Sequence, residues 1–179
     1  MKKVVALGGS NSKNSINKAL ATYVAHQLKN VKVSVLDLND FDIPLYGIDY
    51  EDEHGIPKDV NRLNDFLASA DGLVVSLAEH NGSYSAAFKS AYDWLSRIDK
   101  RVWKDKPMLL MATSPGSRGG ASVLQTARIT FPRMGAKIVA DFSLPSFNAN
   151  FSEEGITDTE LKAILKGKIR LLQEAIKND

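Results

Sequence analysis

The stretch VVALGGSNSKNSIN, residues 4–17, decides the fold class of this chain. It begins with four apolar residues, the pattern of a strand that is buried on both faces of a parallel sheet. An apolar stripe with helical spacing then runs from Ile16 to Leu28. Between strand and helix lies a loop of glycine, serine and asparagine that carries one charge, Lys13. A buried strand that leads through such a loop into a helix is typical of an alternating α/β fold.

The same alternation continues along the chain. Apolar runs predict five strands, at residues 4–7, 31–38, 73–77, 108–112 and 138–142. Helical periodicity predicts helices at residues 16–28, 60–70, 88–95, 120–134 and 157–176. Pro132 should disturb the end of the fourth helix, and Thr157 with Glu160 predicts a capping box at the start of the last. We therefore expect a single domain over residues 1–179, with a parallel sheet and helices on both of its faces.

Composition excludes several classes of protein. The chain has 179 residues, a net charge of +2 and no cysteine. So weak a charge argues against a nucleic-acid partner, and the lack of cysteine thiols excludes disulfides and thiolate metal sites. The three histidines, His26, His54 and His80, are scattered, so no metal is expected. No apolar stretch approaches membrane-spanning length, so we expect no membrane partner and a cytoplasmic protein.

Three polar loops follow three of the predicted strands. They are residues 8–17, residues 78–85 (AEHNGSYS) and residues 113–120 (TSPGSRGG). In an open parallel sheet, ligands bind beyond the carboxyl ends of the strands, where the strand order reverses. With the strand order 2-1-3-4-5 these loops are neighbours, so the sequence predicts one site assembled from three places.

The first loop has the chemistry of a phosphate site. Ser10, Ser12 and Ser15 place hydroxyl groups around the start of a helix, where free N–H groups and the helix dipole favour an anion. Gly8 and Gly9 permit a close approach of the backbone. A simpler alternative remains open here, in which Asn14 or Ser15 only caps the helix and the rest of the loop is a turn.

Other phosphate and nucleophile motifs are missing. The chain contains neither GxxxxGK[ST] nor a GxGxxG after the first strand, which argues against a nucleoside triphosphatase and a dinucleotide fold. A serine esterase with Ser10 as nucleophile is a distant alternative. It would need a histidine base beside the serine, and no histidine follows His80 in the sequence.

Taken together, the three loops resemble the signatures of the NADPH-dependent FMN reductase family, a flavodoxin-like group that includes bacterial quinone, chromate and azo-dye reductases. GGSNSKNSIN is similar to the family's GSxSxxSxN phosphate loop, and AEHNGSYSAAFKSAYDWLSR to its PxYNxxxPxxLKxxxDWxS signature. TSPGSRGG resembles its glycine-rich third loop. The resemblance spans residues 4 to about 142 and implies a flavodoxin-like three-layer sandwich with a five-stranded parallel sheet of order 2-1-3-4-5.

Residue by residue, the resemblance implies an FMN site. The FMN phosphate and its approach would be held by Ser10, Ser12, Ser15 and Asn17. The isoalloxazine would be lined, largely through backbone groups, by Glu79, His80, Asn81 and Gly82. The other side of the ring would be closed by Ser114, Gly116, Gly119 and Gly120. No catalytic side chain is implied, because the flavin carries the chemistry.

The chain also departs from the family pattern at single positions. Ser12 stands where the family commonly has an arginine, which leaves the phosphate to neutral donors and the helix terminus. Ala78 and Ala86 replace usual prolines, and His80 replaces a usual tyrosine. Trp94, which follows in the same signature, shares a stripe with apolar residues and is interpreted as packing rather than chemistry.

The resemblance implies an FMN-dependent NAD(P)H oxidoreductase that passes electrons from NADPH or NADH to quinones or similar small-molecule acceptors by a ping-pong mechanism. It also implies a homodimer or homotetramer. The alternative is a flavodoxin-like electron carrier, or an FMN-binding partner protein without turnover of its own. Carriers of that fold tend to be strongly acidic, and the net charge of +2 argues against one.

Overall fold

A computed structural model of the protein describes residues 1–178 and shows a five-stranded parallel sheet. Numbered in chain order, its strands are β1 (Lys2–Gly9), β2 (Val31–Leu36), β3 (Gly72–Leu77), β4 (Pro107–Thr113) and β5 (Lys137–Leu144). Every neighbouring pair is parallel, and the spatial order is β2-β1-β3-β4-β5. The predicted strands, their order and the flavodoxin-like class are confirmed.

Seven α-helices surround this sheet within the described residues. They are α1 (Ile16–Ala25), α2 (Ile48–His54), α3 (Lys58–Ala68), α4 (Ala86–Ile98), α5 (Ala121–Thr130), α6 (Phe147–Asn150) and α7 (Thr159–Asn178). Short 3₁₀ turns occupy Leu38–Asp40 and Phe131–Met134, and the second of them contains Pro132. The predicted disturbance at the end of the fourth helix is therefore present.

The burial of each strand follows its sequence pattern. Every residue of β3 and β4 is buried, as continuous apolar runs in a doubly covered sheet require. By contrast, β2 alternates and stays partly exposed, because it forms one edge of the sheet. An alternating sequence is typical of a strand in that position.

Helices cover both faces and complete the three layers. Apolar side chains of α1 and α7 pack on one face of the sheet, and those of α3, α4 and α5 pack on the other. Trp94 of α4 is fully buried, and its indole N–H donates to the carbonyl of Pro44 at 2.9 Å. Its interpretation as packing is confirmed.

The start of α7 differs from the prediction. The carboxylate of Asp158 accepts a hydrogen bond from Leu161 N at 2.8 Å, so Asp158 is the cap. The hydroxyl of Thr157 instead donates to the carbonyl of Ala149 at 3.2 Å. The predicted capping box of Thr157 and Glu160 is therefore wrong, because Thr157 is engaged by the segment that precedes the helix.

The long connection at residues 39–57 also contains a helix that periodicity did not predict. It is α2, and it is fastened to α4 by an ion pair between Glu51 and Arg97 at 2.8 Å. The ring of Tyr46 meets Trp94 edge-on, with 4.9 Å between their centroids. Contacts with α4, rather than an apolar stripe of its own, therefore fix this segment.

Candidate functional site

The three polar loops meet in one cleft at the carboxyl end of the sheet, as the strand order predicted. The cleft has a volume of about 190 Å³. Its lining comprises Ser10, Ser12, Asn14, Ser15, Ile16, Asn17, Ala78, Glu79, His80, Thr113, Ser114 and Pro115. Five residues of the implied FMN site lie outside this lining, namely Asn81, Gly82, Gly116, Gly119 and Gly120. Each implied role toward a flavin stays a prediction.

The first loop folds tightly over the start of α1. A Cβ on Gly8 would lie 2.5 Å from the backbone nitrogen of Lys18, so only glycine allows this approach. Ser10 Oγ accepts a hydrogen bond from Ser12 N at 3.1 Å, and Ser15 Oγ accepts one from Lys18 N at 3.1 Å. Ser15 is thus the N-cap of α1, as the simpler alternative required.

The bonds from Ser12 N and Lys18 N use only part of the hydrogen-bonding capacity of these two serines. A hydroxyl group has one donor and two acceptor sites. In Ser10 and Ser15 the oxygen accepts from a backbone N–H, so the hydroxyl proton remains available to donate into the cleft. Helix capping and anion binding by Ser15 are therefore compatible.

The amino terminus of α1 supplies further donors. The N–H groups at the start of a helix have no partner within the helix, and the dipole there favours negative charge. The first turn of α1 contains no acidic residue that would neutralise this end. The Lys18 ammonium is paired with the Asp37 carboxylate, so an anion bound here would meet helix N–H and hydroxyl groups rather than this cation.

That ion pair shifts the titration of Asp37. Burial alone would raise the pKa of the Asp37 carboxyl, but hydrogen bonds from Lys18 and from Asn39 outweigh it and hold the pKa below its usual value. Asp37 therefore stays ionised at neutral pH and keeps Lys18 in place beside the first loop.

Asn17 serves the site in a way that the sequence did not reveal. Its side chain is buried, and its Oδ1 accepts from Ser76 Oγ at 2.7 Å and from Thr113 N at 3.1 Å. Its Nδ2 donates to the carbonyl of Thr113 at 3.1 Å. These bonds join α1 to the ends of β3 and β4, so Asn17 forms the floor of the cleft.

The second loop is a hairpin. Glu79–His80 pairs with Ser83–Tyr84 in antiparallel fashion, and Asn81 and Gly82 form the turn with φ of 51° and 77°. Two positive φ values are the geometry of a type I′ turn. A Cβ on Gly82 would meet no protein atom within 4 Å, so backbone conformation, not packing within this chain, requires glycine there.

Ser85 fastens this hairpin to the first loop, and sequence reasoning missed it. Its hydroxyl donates to the carbonyl of Gly9 at 2.8 Å and accepts from Phe88 N at 3.2 Å. It therefore caps α4 while it holds the end of β1. The signal in the sequence was its position, a serine directly before a helical stripe.

Two glycines of the third loop serve packing. Gly119 has φ of 57°, and a Cβ there would collide with Ser143 Oγ and lie 2.9 Å from the backbone of Leu144. Gly120 has φ of 74°, and its Cβ would lie 2.9 Å from the side chain of Ala112. These two residues bring α5 close to β4 and β5, whereas Ser114 lines the cleft itself.

A second concave surface lies beside the cleft. It is a groove of about 910 Å³ along the outer face of α1, with a mostly apolar lining that includes Tyr23, Phe147 and Phe151. It shares only Asn14, Ser15 and Ile16 with the cleft and contains no residue of the second or third loop. The smaller cleft, where the polar donors converge, is therefore the candidate site.

The donor set of the cleft fits the phosphate of FMN and does not form a catalytic triad. Hydroxyl protons and helix N–H groups are suited to an anion. Within residues 1–178, Ser10 Oγ has no hydrogen bond to a histidine or a carboxylate, which a serine esterase would need. The same residues contain no cluster of three metal-ligating side chains and no helix long and apolar enough to cross a membrane.

Fold and cleft together define a flavodoxin-like α/β protein with a candidate anion site at the first strand-to-helix turn. The sequence profile of the NADPH-dependent FMN reductase family matches residues 2–149, and the chain belongs to this family. Members of this family use FMN as flavin cofactor and NAD(P)H as electron donor.

The chain is similar to curated oxidoreductases over different lengths. It is 37% identical over 123 residues to the quinone reductase of Escherichia coli strain K12, and the match covers 66% of this chain and 63% of that protein. It is 32% identical over 174 residues to the NADPH:quinone oxidoreductase of Arabidopsis thaliana, and that match covers 91% of this chain and 88% of that protein.

Among solved structures, the chain resembles FerB, a flavoenzyme NAD(P)H:(acceptor) oxidoreductase from Paracoccus denitrificans. The TM-score is 0.77 at 25% identity, and 99% of this chain and 98% of FerB are covered. The fold therefore agrees over the full length.

Proposed function

We propose that this protein is an FMN-dependent NAD(P)H oxidoreductase that passes electrons to quinones or similar planar acceptors. The observation that carries the proposal is the convergence of three loops on one cleft, with the free protons of Ser10 and Ser15 at the start of α1. The named activities of the relatives, quinone reductase and NADPH:quinone oxidoreductase, support the acceptor class.

The residues of the chain have the task of binding and orientation. When bound, FMN would supply the redox chemistry between nicotinamide and acceptor. Ser10, Ser12 and Ser15 would hold its phosphate by donating hydrogen bonds. The hairpin with His80 at the rim and the loop with Ser114 would border the ring system. No side-chain acid or base is required for this transfer, because the flavin carries the chemistry.

Serine substitutions test the phosphate site. A hydrogen bond to a charged group contributes about 1.5–3 kcal/mol, so Ser12→Ala and Ser15→Ala should each weaken FMN binding by about tenfold or more. The variant with Ser10, Ser12 and Ser15 all changed to alanine should lose most of its affinity in a fluorescence titration. Ser96→Ala is the control, since its hydroxyl donates only to Asp93 O on α4. Unchanged FMN affinity in the triple variant would refute this placement.

Steady-state kinetics test the reaction. A cleft that offers one face of the flavin must take donor and acceptor in turn. Initial rates with varied NADPH and benzoquinone should therefore give parallel double-reciprocal lines. Intersecting lines would show that both substrates bind together and would contradict the single-face arrangement. No NAD(P)H oxidation, with FMN demonstrably bound, would favour the electron carrier instead.

We also propose a homodimer or homotetramer. Three large apolar side chains are exposed close together on the segment before and within α2: Leu45 is 78% exposed, Ile48 53% and Tyr50 39%. Side chains of this kind commonly lie in interfaces between subunits. Light scattering after gel filtration measures the mass, and a monomer would contradict the proposal. A cytoplasmic location is likewise a proposal, and cell fractionation tests it.

A further inference from the structure

Helix α5 begins without a cap of its own. The residue at its N-cap position is Gly120, with φ of 74°, and no side chain from its own segment accepts a hydrogen bond there. Instead, Val123 N donates to the Glu79 carboxylate at 2.9 Å, across 44 residues of sequence. The cap of this helix therefore comes from a different loop.

This hydrogen bond joins two walls of the cleft. Glu79 lies in the second loop, where its backbone pairs with Tyr84 in the hairpin. Val123 lies in the first turn of α5, which follows directly on the third loop. A carboxylate at a helix amino terminus is favoured by the dipole as well as by the N–H group. The bond therefore fixes the distance between the hairpin and the third loop.

Glu79 also lines the cleft itself, so its bond lies at the site rather than behind it. We propose that Glu79 is a positioning residue, which caps α5 from the second loop and thereby holds the second and third loops at the spacing that the flavin ring requires. This inference rests on the proposed FMN function. It assigns the side chain of Glu79 to α5 and leaves only its backbone to face the flavin.

Two variants of Glu79 separate spacing from charge. Glu79→Gln keeps an oxygen that can accept from Val123 N, and its FMN affinity should stay within about threefold of the native protein. Glu79→Ala removes the acceptor, and its FMN affinity should fall by about tenfold, because the ring must then order the loops. Equal weakening in both variants would overturn the proposal in favour of a direct effect of charge.

A matched control distinguishes an effect on the spacing of the loops from a general loss of stability. Asp158→Ala removes the same kind of cap from α7, and Asp158 lies outside the cleft lining. Asp158→Ala should lower the Tm about as much as Glu79→Ala, yet leave FMN affinity unchanged. If Glu79→Ala lowers only the Tm and leaves FMN affinity unchanged, the cap is structural and the proposal fails.

Amide hydrogen exchange without FMN makes the test independent of the proposed function. In the apo protein, Glu79→Ala should speed exchange in the first turn of α5 and in the hairpin together, whereas Glu79→Gln should not. Exchange that rises in α5 alone would show that the two loops are not coupled and would overturn the proposal. A native protein that binds no FMN would instead defeat the proposed function, while this readout would still report the coupling.

Discussion

Removal of the Asn17 side chain is the most informative single change to the cleft. Asn17→Ala deletes one acceptor oxygen and one donor nitrogen. It leaves Ser76 Oγ without the acceptor at 2.7 Å, and the N–H and carbonyl of Thr113 without their partners at 3.1 Å. All three residues are buried, so each lost bond leaves a polar group that must find water or stay unpaired.

The expected loss follows from these three bonds. Each contributes about 0.5–1.5 kcal/mol net, which gives roughly 1.5–4.5 kcal/mol for the set. A domain of this size loses about 2–4 °C in Tm for each kcal/mol, so the Tm should fall by roughly 3–18 °C. A stability of about 5–15 kcal/mol would leave the variant folded in most of this range.

Thermal unfolding of the apo protein, followed by circular dichroism, measures this loss without any contribution from bound FMN. The control is Asn11→Ala, since Asn11 is an exposed asparagine in the same loop and its side chain forms no hydrogen bond with residues 1–178. Its Tm should match the native value. If Asn17→Ala also unfolds within about 2 °C of the native protein, the three bonds contribute little and Asn17 is not the floor of the cleft.

Three further predictions concern glycines and one carboxylate. Gly119→Ala should lower the Tm by roughly 5–10 °C because its Cβ collides with β5 at a positive φ, whereas Gly116→Ala, with its nearest contact at 3.8 Å, should change it little. Gly82→Val should abolish FMN binding and leave the far-ultraviolet circular dichroism intact. The control is Gly55→Val, which has a similar φ of 71° in open space away from the cleft and should retain FMN. Normal FMN binding by Gly82→Val would contradict the placement of the second loop. Because folding lowers the pKa of Asp37, its ionised carboxylate adds stability at pH values above the unfolded pKa of 3.8. This stability is lost as the pH falls through the folded pKa. Asp37→Asn should therefore lower the Tm by roughly 2–4 °C near neutral pH, and the two Tm values should converge in acid. A Tm difference that stays constant from neutral pH into acid would refute the stabilising role of the Asp37 carboxylate.

Local patterns in the sequence were sufficient to predict the sheet and the meeting of three polar loops at one of its edges. Uniform apolar runs identified β3 and β4, because a strand covered on both faces leaves no polar position. The order of the strands then placed the three polar loops at one edge. Ser15 was recognised as a candidate cap because capping depends only on residues three apart.

Long-range hydrogen bonds could not be predicted in this way. Asn17 bonds to Ser76 and Thr113, and Glu79 bonds to Val123, each across more than 40 residues. A polar residue in a ligand loop gives no local signal of whether its side chain faces the ligand or the protein. The sequence therefore found the residues around the cleft but not the bonds that set its shape.

The measurement that tests the proposed function most directly is an absorption spectrum of the purified, FMN-loaded protein without air. The protein should be yellow, and added NADPH or NADH should bleach the visible flavin band. Benzoquinone added next should restore the band, because the acceptor removes the electrons. A band that neither nucleotide changes, in a protein shown to hold FMN, would contradict an NAD(P)H oxidoreductase.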